Sequence, residues 1–503
     1  MLSNTLSLKQ NIDSLLAAIV AASLIYCLAS IHGIGISPDS VTYTSVARNM
    51  QYGKFWYKFD NMPLVVFPFF YPSFLGTVIF VTKQDIVALA PVLNAILFGT
   101  VIFFSGCILQ QFKESTKLYK WIILSCLIAS SSLIEVYSML WSETLFILLL
   151  LLLMVALRKY ATAYNFKKLV TVAIICAIAC VTRFAGIAYV AIVGFIILVD
   201  SGLVWRKKWW HLLSFGTISL SLLVINLGYN YHLLGTLTGN RQKSITSLCQ
   251  NLQFYGNVMW DWLKLPEGQY TYATWLGICL LVVMITFVIK RCWQQNNLYS
   301  YQNIAAVAFI MYVAFIIATA CISKYEQINN RLLSAAFIPL LLGATYWLPN
   351  TIKQSSNKIV KGALVTIFLT IAVLFQYNQY IWVNGWYGMV AEYGIPGYTD
   401  ITWQQSPMVI YLQQHKTSFK VATPIYSNAN DAVYFFSSMP CQTIPEVVHD
   451  EEIICYLKEQ PHYIVWFTNE FDNPNILRLQ EVQRHRTLDT LQRFADGYII
   501  YSR

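Results

Sequence analysis

About eleven stretches of this chain run for roughly 17 to 25 residues almost without a charge, the length a helix needs to cross the hydrocarbon core of a bilayer. They fall at 12–32, 86–111, 119–137, 139–157, 168–182, 184–200, 210–230, 272–290, 301–322, 332–348 and 359–377. Lipid offers no water to bond exposed backbone groups, so such runs must fold as helices that satisfy their own N–H and C=O groups. The 503 residues are 57% hydrophobic and 12% charged, whereas a soluble domain carries about 25% charged residues. The expected fold is mainly α, a polytopic transmembrane helical bundle.

The net charge of +10 does not point to nucleic acid, because the Lys and Arg residues lie in short clusters between apolar runs, where the positive-inside rule places them. A further apolar segment, 65–81, is interrupted by Pro68 and Pro72. If it does not cross, five basic clusters share one side: Lys113, Lys117 and Lys120; Arg158, Lys159, Lys167 and Lys168; Arg206, Lys207 and Lys208; Lys290 and Arg291; and Lys353, Lys358 and Lys361. If it crosses, the first three flip outward. The segment is therefore expected as a re-entrant or interfacial helix on the outer leaflet, with the N-terminus inside and the C-terminus outside. The first run, from about Ile12 to Ile31, follows only Lys9 and is too long for a signal-peptide core, so it reads as an uncleaved span.

On this topology the outer face collects 33–85, the turns at 137–143, 182–184 and 323–331, the segment 231–271 and everything after about 380, while the cytoplasmic loops are short and basic. The work of such a chain is expected outside the cytoplasm. Domain organisation is expected as a membrane module over 1–379 and a small soluble α/β domain over 380–503, where VATPIYSN and HYIVWFTN read as buried strands and DEEIICYLKEQ as an amphipathic helix. The closing DTLQRFADGYIIYSR fits two strands turning at Asp496-Gly497. Cys441 and Cys455 lie in this domain and could pair or stay as free thiols; no cysteine spacing fits a metal site.

Several polar residues stand out against this apolar background. In GISPDSVTYTSVARNM, Ser37 and Pro38 are a helix start, and Tyr43, Val46, Ala47 and Met50 recur at helical spacing, so a short amphipathic helix carries Asp39 in its first turn. By itself such an acid stabilises the positive helix end by up to about 1 kcal/mol. Glu143, in YSMLWSETLFILLLLLLM, stands at the outer end of a span with no other charge, and a carboxylate so close to hydrocarbon usually faces a cavity or a partner. Glu135, across the same turn, is a weaker candidate. Arg183 in CVTRFAGIAYV and Arg331 in YEQINNRLLSAAFIPLLLG both map to the outer face, so neither is an inside-positive signal; each can snorkel to lipid or fork onto a phosphate. Arg241 and Lys243, in the Gly- and Thr-rich LLGTLTGNRQKS, suit an anion.

PDSVTYTSVARNM, FPFFYPSFLGTVIF, WSETLF, TRFAGI and NRLLSAAFIPLLLG, in this order over most of residues 1–350, resemble the multi-spanning glycosyltransferases of the GT-C type, including protein O-mannosyltransferases and the aminoarabinose transferases of lipid A. The C-terminal domain looks like the outer appendage of some bacterial members. Many relatives carry a second acid directly after the first, where this chain has Ser40, and no DxD motif is present, so no metal is indicated. The resemblance implies an enzyme of a bacterial plasma membrane that moves a sugar from a polyprenyl-phosphate donor to an acceptor hydroxyl on a glycan, lipid or protein, with inversion. Asp39 would be the base and Glu143 would orient hydroxyls. Arg331 or Arg241, with Lys243, would hold the phosphate, and Arg183 would neutralise the acids or bind donor. A transporter or lipid-linked sugar flippase would also explain many spans with charges, but shows inverted repeats and broken helices at the midplane, and no repeat is visible here. A structural subunit with a decayed site is the third reading; it would leave the acids without a cavity.

Overall fold

A computed structural model describes residues 11–266, 268, 270–294, 298–324, 326–420, 423–468 and 475–503. The chain forms two compact units, one made of the residues up to Ser30, Val65–Tyr71 and Leu89–Gly388, the other of Ile31–Leu64, Pro72–Ala88 and Met389–Arg503. The helices of the first half are α1 (Ile12–His32), α2 (Pro38–Met50), α3 (Phe70–Thr82), α4 (Ile86–Leu109), α5 (Lys117–Ile128), α6 (Ser131–Tyr137), α7 (Glu143–Ala161), α8 (Phe166–Thr182), α9 (Ile187–Val199) and α10 (Trp205–Leu234). They are followed by α11 (Leu248–Trp262), α12 (Tyr270–Trp293), α13 (Tyr301–Ile322), α14 (Asn330–Thr345), α15 (Leu348–Gln354) and α16 (Lys358–Tyr393).

Among the described residues eight helices are long and apolar enough to cross a membrane: α1, α4, α7, α10, α12, α13, α14 with α15, and α16. The bent pair α5 and α6 makes up to nine, against the expected eleven or so. Two of the missing spans are present as shorter helices: α8 has 17 residues and α9 has 13, or Phe184–Val199 with its leading turn. At 1.5 Å per residue, 17 residues cover about 25 Å. The run 119–137 is not one rod but bends by 52° between α5 and α6, where Ser130, Ser131 and Ser132 interrupt the apolar pattern. Segment 65–81 is helical only from Phe70, because Pro68 and the residues before it run irregularly. Residue 380 lies inside α16, which continues to Tyr393.

The first unit is a helical bundle in which α8 packs on α7 and α10, and α13 on α9 and α14. Its centre is aromatic: Phe146 stacks on Tyr189 at 4.4 Å between centroids, and Tyr312 lies beside both. The buried hydroxyls are spent on backbone, Tyr189 donating to the Phe146 carbonyl at 3.1 Å and Tyr312 to that of Leu332 at 2.9 Å, as an apolar interior requires. Small residues bring α1 against α4, where a Cβ on Gly106 would lie 2.5 Å from Ser14 Oγ.

In the second unit, α2 is pinned at its far end by Arg48, whose Nε and Nη2 donate to the two Asp85 oxygens at 2.8 and 2.9 Å. Burial opposes charge on Asp85, but the paired guanidinium outweighs it and holds the carboxyl below its ordinary range. After α17 (Ile401–Gln404), α18 (Pro407–Gln414), α19 (Asn430–Ser437), α20 (Asp450–Lys458) and α21 (Leu479–His485) complete the helices around a five-stranded sheet. Its strands β1 (Ile425–Ser427), β2 (Gln442–Thr443), β3 (His462–Phe467), β4 (Leu488–Phe494) and β5 (Gly497–Ser502) lie in the order β2-β1-β3-β5-β4. β1 is parallel to β2 and β3, while β5 is antiparallel to β3 and β4. Val421 and Ala422, the start of the first expected strand, lie outside the described residues. The final hairpin pairs Phe494 with Gly497, so its loop is Ala495-Asp496, one residue earlier than expected. Buried Arg486 closes α20 by donating through Nη1 to the carbonyls of Leu457 and Glu459, both at 2.9 Å. Cys441 is buried and Cys455 exposed, and both are free thiols.

Candidate functional site

Glu143 is the first residue of α7, where the positive end of the helix favours an anion. Its side chain is 3% exposed, and burial of that degree demands a partner. Two are present: Arg183 Nη1 lies 2.5 Å and Arg331 Nε 2.6 Å from the same oxygen, Oε1. Ser142 ties the group together, donating to Glu143 Oε2 at 3.3 Å and accepting from Arg183 Nη1 at 3.0 Å. Arg331 also lies over the Trp141 ring, 4.3 Å from its centroid, with Glu326 Oε1 at 3.7 Å from Nη1. Indole and carboxylate thus fix the guanidinium plane from two directions.

Local sequence explains how these side chains arrive. Arg183 ends α8 in an extended conformation, φ −147° and ψ 140°, and the chain folds back through a tight turn closed by Gly186 N–H donating to the Arg183 carbonyl at 2.8 Å. A Cβ on Gly186 would lie 2.3 Å from the Ala179 carbonyl carbon, so only glycine allows TRFAG to tuck against α8. On the other side, Asn329 caps α14 by accepting from Leu332 N–H at 3.0 Å, which puts Asn330 and Arg331 in the first turn. Asn330 takes Glu135, donating to its Oε2 at 2.6 Å, and accepts from Trp262 Nε1 at 2.7 Å. The two neighbours in the chain thus hold two different acids.

Arg241 and Lys243 are exposed. Arg241 lies over Phe184, 6.0 Å from its centroid, and so joins the turn that carries Arg183. Lys243 bridges Ser323 in antiparallel fashion, and Lys324 donates from backbone N–H and from Nζ to Gln242, each at 2.9 Å. This strap fastens the segment carrying Arg241 to the one leading into Glu326 and Arg331. Arg183 and Arg331 share the single carboxylate of Glu143, and Arg241, Lys243 and Lys324 lie on the segments beside them, a set of cations that can hold an anionic group such as a phosphate.

Asp39 belongs to the second unit. It is half-buried in the first turn of α2, and Ser37 and Pro38 start that helix as the sequence implies. Ser40 has a job that sequence comparison alone hides: its backbone N–H donates to Ser37 Oγ at 3.4 Å while its own Oγ accepts from Ser37 N–H at 3.1 Å, a capping box with serine in the place usual for Glu or Gln. The buried Ser40 hydroxyl thus fixes the backbone that presents Asp39. Among the described residues, no three His, Cys, Asp or Glu side chains are grouped to hold a metal ion.

The structure thus brings Glu143, Arg183 and Arg331 into one cluster with Arg241 nearby and Lys243 on its strap, and places Asp39 in the other unit. Sequence reading did not foresee Trp141 under Arg331, Glu326, Lys324 or the Glu135–Asn330–Trp262 chain.

No protein-family model and no curated protein sequence matches the chain. Solved structures do. ArnT from Cupriavidus metallidurans bound to undecaprenyl phosphate superposes with a TM-score of 0.59 at 12% identity, covering 97% of each chain, and its apo form with 0.56 at 13%. The oligosaccharyltransferase AglB from Archaeoglobus fulgidus, in complex with an inhibitory peptide and a dolichol-phosphate, gives 0.55 at 11% over 92% of this chain and 70% of its own. At such identities the likeness is one of fold, and the fold is that of the GT-C membrane glycosyltransferases.

Proposed function

We propose that this protein is a glycosyltransferase that moves a sugar from a polyprenyl-phosphate donor to an acceptor hydroxyl on the outer face of the membrane, with inversion. The observation that carries the reading is the pair of guanidiniums on one buried carboxylate, in a fold shared with a protein solved with undecaprenyl phosphate bound. In the reaction the acceptor oxygen attacks the anomeric carbon, the carbon–oxygen bond to phosphate breaks, and the electron pair leaves with polyprenyl phosphate. That leaving group needs cations on its developing charge rather than a general acid. Arg331 and Arg241 supply them, with Lys243 and Arg183 adding to the field. Asp39 takes the acceptor proton.

Glu143 serves these arginines rather than the substrate. With both guanidiniums on Oε1, it acts as the fixed anchor that keeps two like charges together and aimed before the donor arrives, the preorganisation that electrostatic catalysis requires. The membrane module and the C-terminal domain act on the same side, with the N-terminus in the cytoplasm of a bacterial cell.

Deleting the gene and profiling lipid-linked sugars by mass spectrometry tests the reading. One polyprenyl-phosphate sugar should accumulate while an outer glycan loses that sugar. An unchanged lipid-linked pool with a shifted inside-to-outside distribution would replace the transferase with a flippase.

A further inference from the structure

Glu135 has no part in the chemistry described above, yet a closed ring of hydrogen bonds is built around it. Within the first unit, Asn330 Nδ2 donates to Glu135 Oε2 at 2.6 Å and to the Ser132 carbonyl at 3.4 Å, while Asn330 Oδ1 accepts from Trp262 Nε1 at 2.7 Å. Turning the amide over would set its oxygen against the carboxylate and its N–H groups against the indole N–H, so one orientation alone is allowed. Trp262 is the last residue of α11, and its ring stands edge-on to Phe337 of α14 at 5.1 Å between centroids. Its carbonyl, one of those a helix end leaves unmatched, accepts from Gln379 Nε2 at 2.8 Å. Gln379, fully buried on α16, in turn accepts through Oε1 from the N–H of Ser131, the first residue of α6, at 2.9 Å. The ring thus runs from α6 through α16, α11 and α14 and returns to α6 at Glu135.

We infer that Asn330, locked between Glu135 and Trp262, is a positioning residue for Arg331: the ring fixes the first turn of α14 and so the direction from which the guanidinium meets a phosphate. The inference rests on the reading of Arg331 as a phosphate ligand. Glu143 at 2.6 Å and the Trp141 ring at 4.3 Å hold the guanidinium itself. They do not hold its helix, because a long arginine side chain has the rotamer freedom to keep those contacts while the backbone slides or turns. The short side chain of Asn330 has no such slack, and a bond of 2.6 Å on one side with one of 2.7 Å on the other ties the α14 backbone in place. Three consecutive residues thus divide the work: Asn329 caps the helix, Asn330 sets its rotation and Arg331 carries the charge. Glu135 and Trp262 act on the donor without touching it.

The test uses the full chain with undecaprenyl phosphate as the probe, and binding is followed by native mass spectrometry. Asn330→Asp keeps the shape but loses both donated bonds and sets a second carboxylate on Glu135, so binding should fall by about tenfold. Glu135→Ala should also weaken it, and Glu135→Gln, whose amide oxygen can still accept from Asn330, should recover most of that loss. A cycle with Arg331→Ala separates positioning from a general loss of stability. In that background Asn330→Asp should change binding by no more than about twofold, while its lowering of the melting temperature persists. If Asn330→Asp does not fold, Trp262→Phe takes its place, since it removes one N–H and keeps a ring against Phe337. An effect equally large with and without Arg331, or wild-type binding in a folded variant, overturns the inference. Failure of the underlying reading looks different: Arg331→Ala would itself bind the probe as tightly as wild type, and the inference would fall with it.

Discussion

Replacing Glu143 with Gln removes the one anion on which two guanidiniums converge. Its side chain is 3% exposed and those of Arg183 and Arg331 are 16% and 12% exposed, with the shared oxygen at 2.5 and 2.6 Å. Taking one member from a buried ion pair costs about 3–5 kcal/mol, because the remaining charge is left in a poorly solvating place. Here two charges are left, and they also repel. The glutamine oxygen can still accept one N–H, so a loss at the lower end, about 3 kcal/mol, is expected. The assay is thermal unfolding of the purified chain in nanodiscs, followed by tryptophan fluorescence. A double-mutant cycle separates anchor from bystander: adding Arg183→Ala to Glu143→Gln should recover part of the loss, since it removes one of the two stranded charges. Donor binding should fall in Glu143→Gln even at temperatures where it stays folded, because the arginines are no longer aimed. Wild-type melting and wild-type donor affinity in Glu143→Gln would refute the anchor argument.

Three further expectations follow from particular contacts. Arg331→Ala should weaken donor binding by roughly tenfold or more, and Arg331→Lys should restore only part of it, because an ammonium cannot reach Glu143 and Glu326 at once while lying over Trp141; equal binding by wild type and Arg331→Ala would mean that this arginine does not touch the donor. Gly186→Ala should act as an Arg183 mutant at a distance, since its Cβ can be accommodated only by moving the turn off α8, and unaltered donor affinity would remove the role given to that turn. His462 is fully buried, and burial, with Arg486 nearby, pulls its proton affinity below the ordinary value. The unfolded chain takes up a proton below about pH 6.5 that the folded domain refuses, so stability is fully present above that pH and is lost as pH falls below it. Limited proteolysis of the C-terminal domain in the intact protein should therefore speed up from pH 7 to 5.5, and do so less in His462→Asn; the same slope in both would exclude His462 as the cause.

Much of this was legible in the chain. The apolar runs imply a helical membrane bundle, and Ser37-Pro38 marks the start of α2. Glu143 stands out because nothing else in its span is charged. What the sequence could not give is company. Arg183 and Arg331 stand 40 and 188 residues from Glu143, and no local pattern records that a helix cap at Asn329 and a glycine turn at Gly186 bring them to one oxygen. Trp141 carried no signal of its own in WSETLF, yet its ring lies under Arg331. Ser40 read as a missing acid because the resembled family often carries a second acid there, yet the spacing Ser37 to Ser40 was the signal for a capping box. The apolar runs do appear as helices, but composition detects only the runs, while the 52° bend after α5 and the 13-residue length of α9 depend on packing.

The central claim is that Asp39 removes the acceptor proton while the arginines hold the phosphate. Its most direct test is the rate of polyprenyl-phosphate release by the purified protein and by Asp39→Asn, using the lipid-linked sugar that accumulates in the deletion strain together with its acceptor. General-base catalysis is worth about 10²–10⁴ in rate, so Asp39→Asn should bind donor like wild type and release product at least about a hundredfold more slowly. Release within a few fold of wild type, at equal donor occupancy, would contradict the account.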